Sequence, residues 1–223
     1  MILKTAALIC AYNEEKHIKK VVEDSSKYVD RVIVVNDGSQ DDTLRELRKS
    51  RVPLTVITHT INMGKGEALK TGFRYCVNKG YENVVMLDGD GQHKSEEIPR
   101  FVKELNNGSH FVIGSRMKNP KGMPAIRKMS NKVTSGIISI LTRQNVEDSQ
   151  SGFRGIQTNV LKNITLNTSR YDLESEMIFK IAGKGYNITN VPISTIYGDE
   201  TSTINPITDG LRFWKVVMGN LFN

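Results

Sequence analysis

Between residues 6 and 113 short β-rich apolar runs alternate with amphipathic stretches, and this alternation limits the fold more than any other feature of the chain. Ala6–Cys10, Val32–Val35, Leu54–Ile57, Val84–Leu87 and Phe111–Ile113 read as strands. The stretches between them read as helices, from Glu14 to Ser26, about Gln40 to Lys49, about Lys65 to Asn78 and about Ser95 to Asn106. Ser39 and Asp42 have the spacing of a capping pattern at the second helix, and Pro99 suits the first turn of the fourth. Strands and helices in strict succession predict an α/β fold, a mostly parallel central sheet with helices on both faces. Ligands of such sheets sit beyond the carboxyl ends of the strands. Polar clusters follow those ends here: Tyr12 to Glu14, Asp37 to Ser39, Asp88 to His93, and Ser115 with Arg116. Their common position predicts one site.

After residue 116 the rhythm fades. A loop with glycine and proline precedes an apolar helix from about Ile126 to Leu141. Strand-like pieces near Gly152 to Gln157 and Ile188 to Ile196 bracket a helix from about Leu173 to Ala182. No internal repeat or linker interrupts the chain, so residues 1–223 read as one domain. A net charge of +7 favours anionic partners such as nucleotides, phosphorylated lipids or acidic membranes. The basic residues are scattered and form no nucleic-acid-reading signature, which excludes nucleic acid as the partner. Cys10 and Cys76 have neither metal-site nor disulfide spacing and read as core residues in a reducing cytosol. The opening residues lead straight into a strand, so no signal peptide is expected, and no apolar stretch is long enough to span a bilayer.

Asp88 and Asp90 stand one residue apart where an apolar strand empties into a glycine-bearing loop. Mg²⁺ is usually held by one or two carboxylates, with water and substrate phosphates completing its shell. The pair therefore suits a metal that carries a nucleotide diphosphate; a solvated turn is the plain alternative, since Asp and Gly both favour turns. Gly64, Lys65 and Gly66 lack the spacing of a phosphate-binding NTPase loop.

The stretches Ile9–Glu15, Val35–Thr43, Asn62–Leu69, Leu87–His93, Ile113–Arg116 and Asp148–Arg154, taken in this order, resemble family 2 glycosyltransferases of the GT-A fold. Within them the likeness is to the dolichol-phosphate or polyprenyl-phosphate mannose and glucose synthases. The resemblance implies that Ala11, Tyr12 and Glu14 contact the base and ribose of a sugar nucleotide, and that Asp37 reads the base or ribose unless it only caps its turn. It implies Asp90 and Gln92 as ligands of Mg²⁺ or Mn²⁺, with Asp88 either a third ligand or facing the ribose or sugar. Lys65 either offsets diphosphate charge or is an exposed lysine at a helix start. Arg116 and Arg127 are the implied phosphate-recognising residues, because a guanidinium fork matches phosphate oxygens. Lys128 and Arg154 are weaker candidates, balanced against a surface role. Thr201 stands where these synthases often carry a base, which moves that load to Arg116, Arg127 and Arg212.

The activity so implied is transfer of a hexose from a nucleotide diphosphate sugar, GDP-mannose or UDP-glucose, to a polyprenyl or dolichyl phosphate, with inversion. Asp90, Arg116 and Arg127 are then the catalytic candidates; residues 1–115 form the donor half and 116–223 the acceptor half. A lipid phosphate arrives as a dianion and needs no base. A sugar-hydroxyl acceptor would need one, with Asp148 as the candidate, although ordering its own loop is the other reading of that residue. A non-catalytic nucleotide-sugar binder is the rival outside enzymes. A nucleotidyltransferase would have a Gly-rich, Arg-bearing loop after its first strand, which Cys10–Glu15 is not. The segment from Leu211 to Phe222 places Leu211, Trp214, Met218 and Leu221 on one helical face, suited either to lipid headgroups or to closing the core. The expected location is cytoplasmic, peripheral to the membrane face or held there by a membrane protein.

Overall fold

The computed structural model describes residues 4–118, 120, 122–169, 172–194 and 219. Its strands are β1 (Thr5–Ala11), β2 (Arg31–Asn36), β3 (Leu54–Thr58), β4 (Asn83–Asp88), β5 (Phe111–Ser115), β6 (Arg154–Gln157) and β7 (Ile188–Pro192). The helices are α1 (Ile18–Ser25), α2 (Thr43–Arg48), α3 (Lys65–Asn78), α4 (Ile98–Asn106), α5 (Ala125–Thr142), α6 (Thr158–Asn163) and α7 (Asp172–Gly183), with a 3₁₀ turn at Ser95–Glu97 before α4.

The strands form one seven-stranded sheet in the order β3-β2-β1-β4-β6-β5-β7. All pairs are parallel except those of β6, which runs antiparallel to both β4 and β5. Cys10 pairs with Val35 on one side and Asp88 on the other, so β1, β2 and β4 end in one row. Alternate strand residues enter opposite cores. Leu8, Ile33, Val84 and Met86 pack with Leu69 and Phe73 of α3 and Met177 and Ile178 of α7. Ile9, Val32, Val34 and Val85 pack with Ile18 and Val22 of α1 and Phe101 and Leu105 of α4. Both faces are covered, which is why these strands read as continuous apolar runs. Burial pushes the Cys76 thiol up to about 12 and the Cys10 thiol higher still, so neither is a nucleophile at neutral pH.

Several elements depart from the expected bounds. α1 begins at Ile18 because the Glu14 carbonyl closes a turn with the N–H groups of His17 and Ile18, behind a left-handed Asn13 (φ 57°). The capping pattern of Ser39 and Asp42 does not form. The Ser39 hydroxyl accepts the Asn13 N–H, and Asp42 precedes α2 without a side-chain cap. Asp41 instead accepts both the N–H and the hydroxyl of Thr43. α6 is an addition.

Arg154, expected at the surface or on phosphate, lies at neither place. It is the bulkiest side chain in the fully buried set. Its guanidinium donates to the carbonyls of Ser149 (2.7 Å), Ser151 (2.7 Å) and Glu174 (2.6 Å). One side chain thereby joins the loop before β6 to the first turn of α7. Arg154→Met keeps the volume but leaves these carbonyls without a donor, at about 1–3 kcal/mol each. Urea unfolding is expected to show a loss of about 3 kcal/mol or more, whereas an unchanged midpoint would mean that water replaces the guanidinium without cost.

Candidate active site

The loop after β1 carries Tyr12, which is 42% exposed beyond Ala11. Bonds from backbone N–H groups to side-chain oxygens stitch this loop to the one after β2. Gln40 N–H donates to Asn13 Oδ1 (2.9 Å) and Glu14 N–H to Thr43 Oγ1 (2.7 Å), while Asp42 N–H donates to Glu15 Oε2 (3.0 Å). Glu14 packs against the Asp88–Asp90 loop, since a Cβ on Gly89 would lie 3.2 Å from its Cγ. The Ala11 carbonyl accepts the Asp37 N–H.

Asp37, expected to read the base or ribose or to cap its turn, has several partners within the protein. It is only 3% exposed. Its carboxylate accepts the N–H groups of Met63 (3.0 Å) and Gly64 (2.8 Å) and lies 2.7 Å from His59 Nδ1. Gly38 makes this possible with a left-handed φ of 73°, because a Cβ there would sit 2.4 Å from the Ile61 carbonyl carbon. The residue anchors the loop leading into α3, which is the turn-capping alternative extended to a second segment.

At the end of β4 the Asp90 Oδ1 accepts the Gln92 N–H at 2.9 Å. Asp88 Oδ1 lies 2.6 Å from Lys65 Nζ, and Asp88 Oδ2 lies 3.3 Å from His93 Nε2. Burial alone would raise the Asp88 pKa; Lys65 and His93 outweigh it and hold the carboxyl well below the usual range. Lys65 is neither a solvated lysine nor one waiting for phosphate alone. Burial works against its charge, but Asp88 and Glu174, the latter 2.9 Å away, keep the ammonium protonated. The sequence reading missed Glu174; its trace is one of two acidic residues, with Asp172, in the first turn of α7. Gly152 lets the loop before β6 lie against this cluster, because a Cβ there would fall 2.4 Å from Asp88 Oδ2.

Among the described residues no three His, Cys, Asp or Glu side chains form a ready-made metal cage. A hard cation that keeps substrate oxygens in its shell requires none. Two carboxylates and an amide oxygen within five residues are hard donors that fit Mg²⁺ or Mn²⁺ on this ground.

Arg116, beyond β5, turns one edge of its guanidinium to Asp148. Its Nε and Nη2 donate to Asp148 Oδ2 (2.7 Å) and Oδ1 (2.8 Å), and its N–H donates to Oδ2. Asn131 of α5 adds a bond to Asp148 Oδ1 at 2.6 Å. Asp148 is fully buried, and although burial raises its pKa, Arg116 and Asn131 bring it below the ordinary carboxylate value. This is a loop-ordering residue; a carboxylate so held is a poor proton acceptor. Arg127 lies half-buried in the first turn of α5, beside Lys128. The outward face of α5 is apolar, with Ile126 and Ile140 more than 70% exposed and Met129 and Val133 between them. Thr201, Arg212 and the segment from Leu211 to Phe222 lie outside the described residues, apart from Gly219.

The model of the family "Glycosyl transferase family 2" matches residues 6–165, a span that contains Tyr12, Asp37, Asp88, Asp90, Arg116 and Asp148. The chain belongs to family 2 of the glycosyltransferases. Over 212 residues this glycosyltransferase is 35% identical to the UDP-N-acetylglucosamine–dolichyl-phosphate N-acetylglucosaminyltransferase of Methanococcus voltae, covering 85% of this chain and 84% of that one. It is 28% identical over 203 residues to the dolichol-phosphate mannosyltransferase of Pyrococcus furiosus, covering 86% of this chain and 56% of the relative. Glucosyl-3-phosphoglycerate synthase from Mycobacterium tuberculosis superposes with a TM-score of 0.73 at 20% identity, over 96% of this chain and 76% of that one. The shared architecture is the GT-A fold.

The Asp148 carboxyl titrates lower in the folded glycosyltransferase than the value of about 3.9 it has when unfolded. Its stabilisation is complete above that value and fades as pH falls through the folded pKa. Asp148→Asn is expected to lower stability at neutral pH and to flatten the loss below about pH 4, as followed by urea midpoints between pH 7 and 3. Parallel curves for the two proteins would contradict the ion pair.

Proposed function

We propose that this glycosyltransferase moves a hexose from a nucleotide diphosphate sugar to the phosphate of a polyprenyl or dolichyl lipid, with a divalent metal and inversion at the anomeric carbon. GDP-mannose and UDP-glucose are the donors implied by its motifs; the name of the Methanococcus voltae relative adds UDP-N-acetylglucosamine. The observation that carries the reading is the gathering at one sheet edge of the Asp88–Gln92 loop, the Tyr12 and Glu14 loop packed on it, and the Asp148–Gly152 loop closing on Asp88. The dolichol-phosphate enzymes of Methanococcus voltae and Pyrococcus furiosus support the acceptor class.

In this reading residues 1–115 hold the donor. The Tyr12 ring stacks on the base, and Glu14 and the Ala11 backbone take ribose or base hydrogen bonds. Asp37 acts indirectly by fixing the loop that leads to Lys65. Asp88, Asp90 and Gln92 hold Mg²⁺ or Mn²⁺. When bound, that ion supplies Lewis-acid stabilisation of the charge on the departing diphosphate. Residues 116–223 receive the acceptor, with Arg127 toward its phosphate and Arg116 keeping the Asp148 loop in place. The second pKa of a phosphate monoester is near ~6, so the nucleophile arrives deprotonated. The burial of Asp148 favours this acceptor over a sugar hydroxyl, which would require a base.

No helix among the described residues is long and apolar enough to cross a membrane. α5 has no Asp or Glu, an apolar outer face, and Lys128 and Lys132 beside it, a composition suited to the lipid headgroup region. The enzyme is proposed to work from the cytoplasmic face, peripherally or beside a membrane protein.

Asp90→Asn is expected to lower transfer of labelled sugar into organic-extractable lipid by about 10²-fold or more, in line with the loss of one transition-state charge contact. Turnover within a few-fold of the parent enzyme would reject the metal site. Met129→Glu together with Ile140→Glu is expected to reduce turnover on a long-chain acceptor in anionic vesicles by about tenfold or more, from the lost burial of two apolar side chains. Turnover on a short, water-soluble polyprenyl phosphate is expected to stay, and an equal loss on both acceptors would remove the membrane role of α5.

A further inference from the structure

Three elements far apart in the chain bring charged groups together behind the Asp88–Asp90 loop. Lys65 opens α3, Asp88 closes β4 and Glu174 lies in the first turn of α7. Lys65 Nζ lies between the two carboxylates, 2.6 Å from Asp88 Oδ1 and 2.9 Å from Glu174 Oε1. The three side chains are largely withdrawn from solvent, with exposures of 19% for Lys65, 26% for Asp88 and 13% for Glu174. A Cβ on Gly152 would come within 3.1 Å of the ammonium, so loop backbone closes another side. Glu174 is itself pinned, because Arg154 donates to its carbonyl at 2.6 Å.

A metal ion and an ammonium compete for the same carboxylate oxygen. For Asp88 to serve a cation, Lys65 has to loosen its hold on Oδ1, and a buried ammonium that loses its partner carries a heavy desolvation cost. A second carboxylate already touching Nζ removes that difficulty. We propose that Glu174 is a positioning residue of the donor site: it retains Lys65 when the metal and diphosphate arrive, which leaves Asp88 available to them. Lys65 then remains at the rim of the site as a fixed positive charge beside the diphosphate. In the absence of Glu174 the ammonium stays with Asp88 and opposes the ion. This inference rests on the metal reading proposed above.

The test is a titration of Mn²⁺ into the full-length protein with UDP or GDP present, following free Mn²⁺ by electron paramagnetic resonance. Glu174→Gln, which keeps size and shape, is expected to weaken Mn²⁺ binding by about tenfold, the usual scale for a partner behind a ligand. The same change made on top of Lys65→Met is expected to have little effect, since no ammonium is left to compete, and this non-additivity is the signature of coupling through Lys65. Lys65→Gln serves in its place should Lys65→Met fail to fold, as judged by circular dichroism. Unchanged Mn²⁺ affinity in Glu174→Gln overturns the inference, and so does an equal loss with and without Lys65, which would mark a simple charge or folding effect. Wild-type protein that binds no Mn²⁺ with either nucleotide overturns the metal reading itself and this inference with it, a result separate from the other two.

Discussion

A guanidinium sealed inside the molecule holds the two sides of this glycosyltransferase in register. Burial lowers the Arg154 pKa, against which the carboxylates of Glu174, Asp148 and Asp88 act to keep the charge. An arginine without acceptors at that depth would be prohibitive, so the fold surrounds it with carbonyls from Ser149, Ser151 and Glu174. Because those carbonyls belong to the loop before β6 and to the start of α7, both segments are fixed to one point. Gly152 then meets Asp88 on one side and Glu174 meets Lys65 on the other.

Most acidic groups at the strand ends already have protein partners. Asp37 takes the N–H groups of Met63 and Gly64, Asp148 takes Arg116 and Asn131, and Asp88 takes Lys65 with His93 nearby. The edge is thereby rigid before any ligand arrives, in keeping with a site that aligns a diphosphate. Residues that read as ligands in a list of motifs also carry, in three dimensions, bonds that order the loops around them.

The sheet and its main helices were legible because apolar runs and helical periods are local properties. α3 has the bounds that the pattern predicts, and the row of strand ends follows from parallel order. What was not legible depends on pairing between distant segments. A four-residue strand such as β6 has no mark of direction in its own composition, and Ser39 could not be seen to serve Asn13 instead of its own helix. Arginine is mostly a surface residue, so composition pointed Arg154 outward until a carbonyl nest was in view. Arg116 and Asp148, 32 positions apart, each invited a separate role, yet they neutralise one another.

The reversed direction of β6 has a topological effect. In a wholly parallel sheet every strand is entered from the edge remote from the ligand, and only departing chain can furnish the catalytic rim. Inserting one counter-running strand between β4 and β5 turns an arrival into rim material, so the Asp148–Phe153 approach is delivered where its neighbours leave. The architecture thus gains one more loop at the strand ends, and that loop meets Asp88 through Gly152.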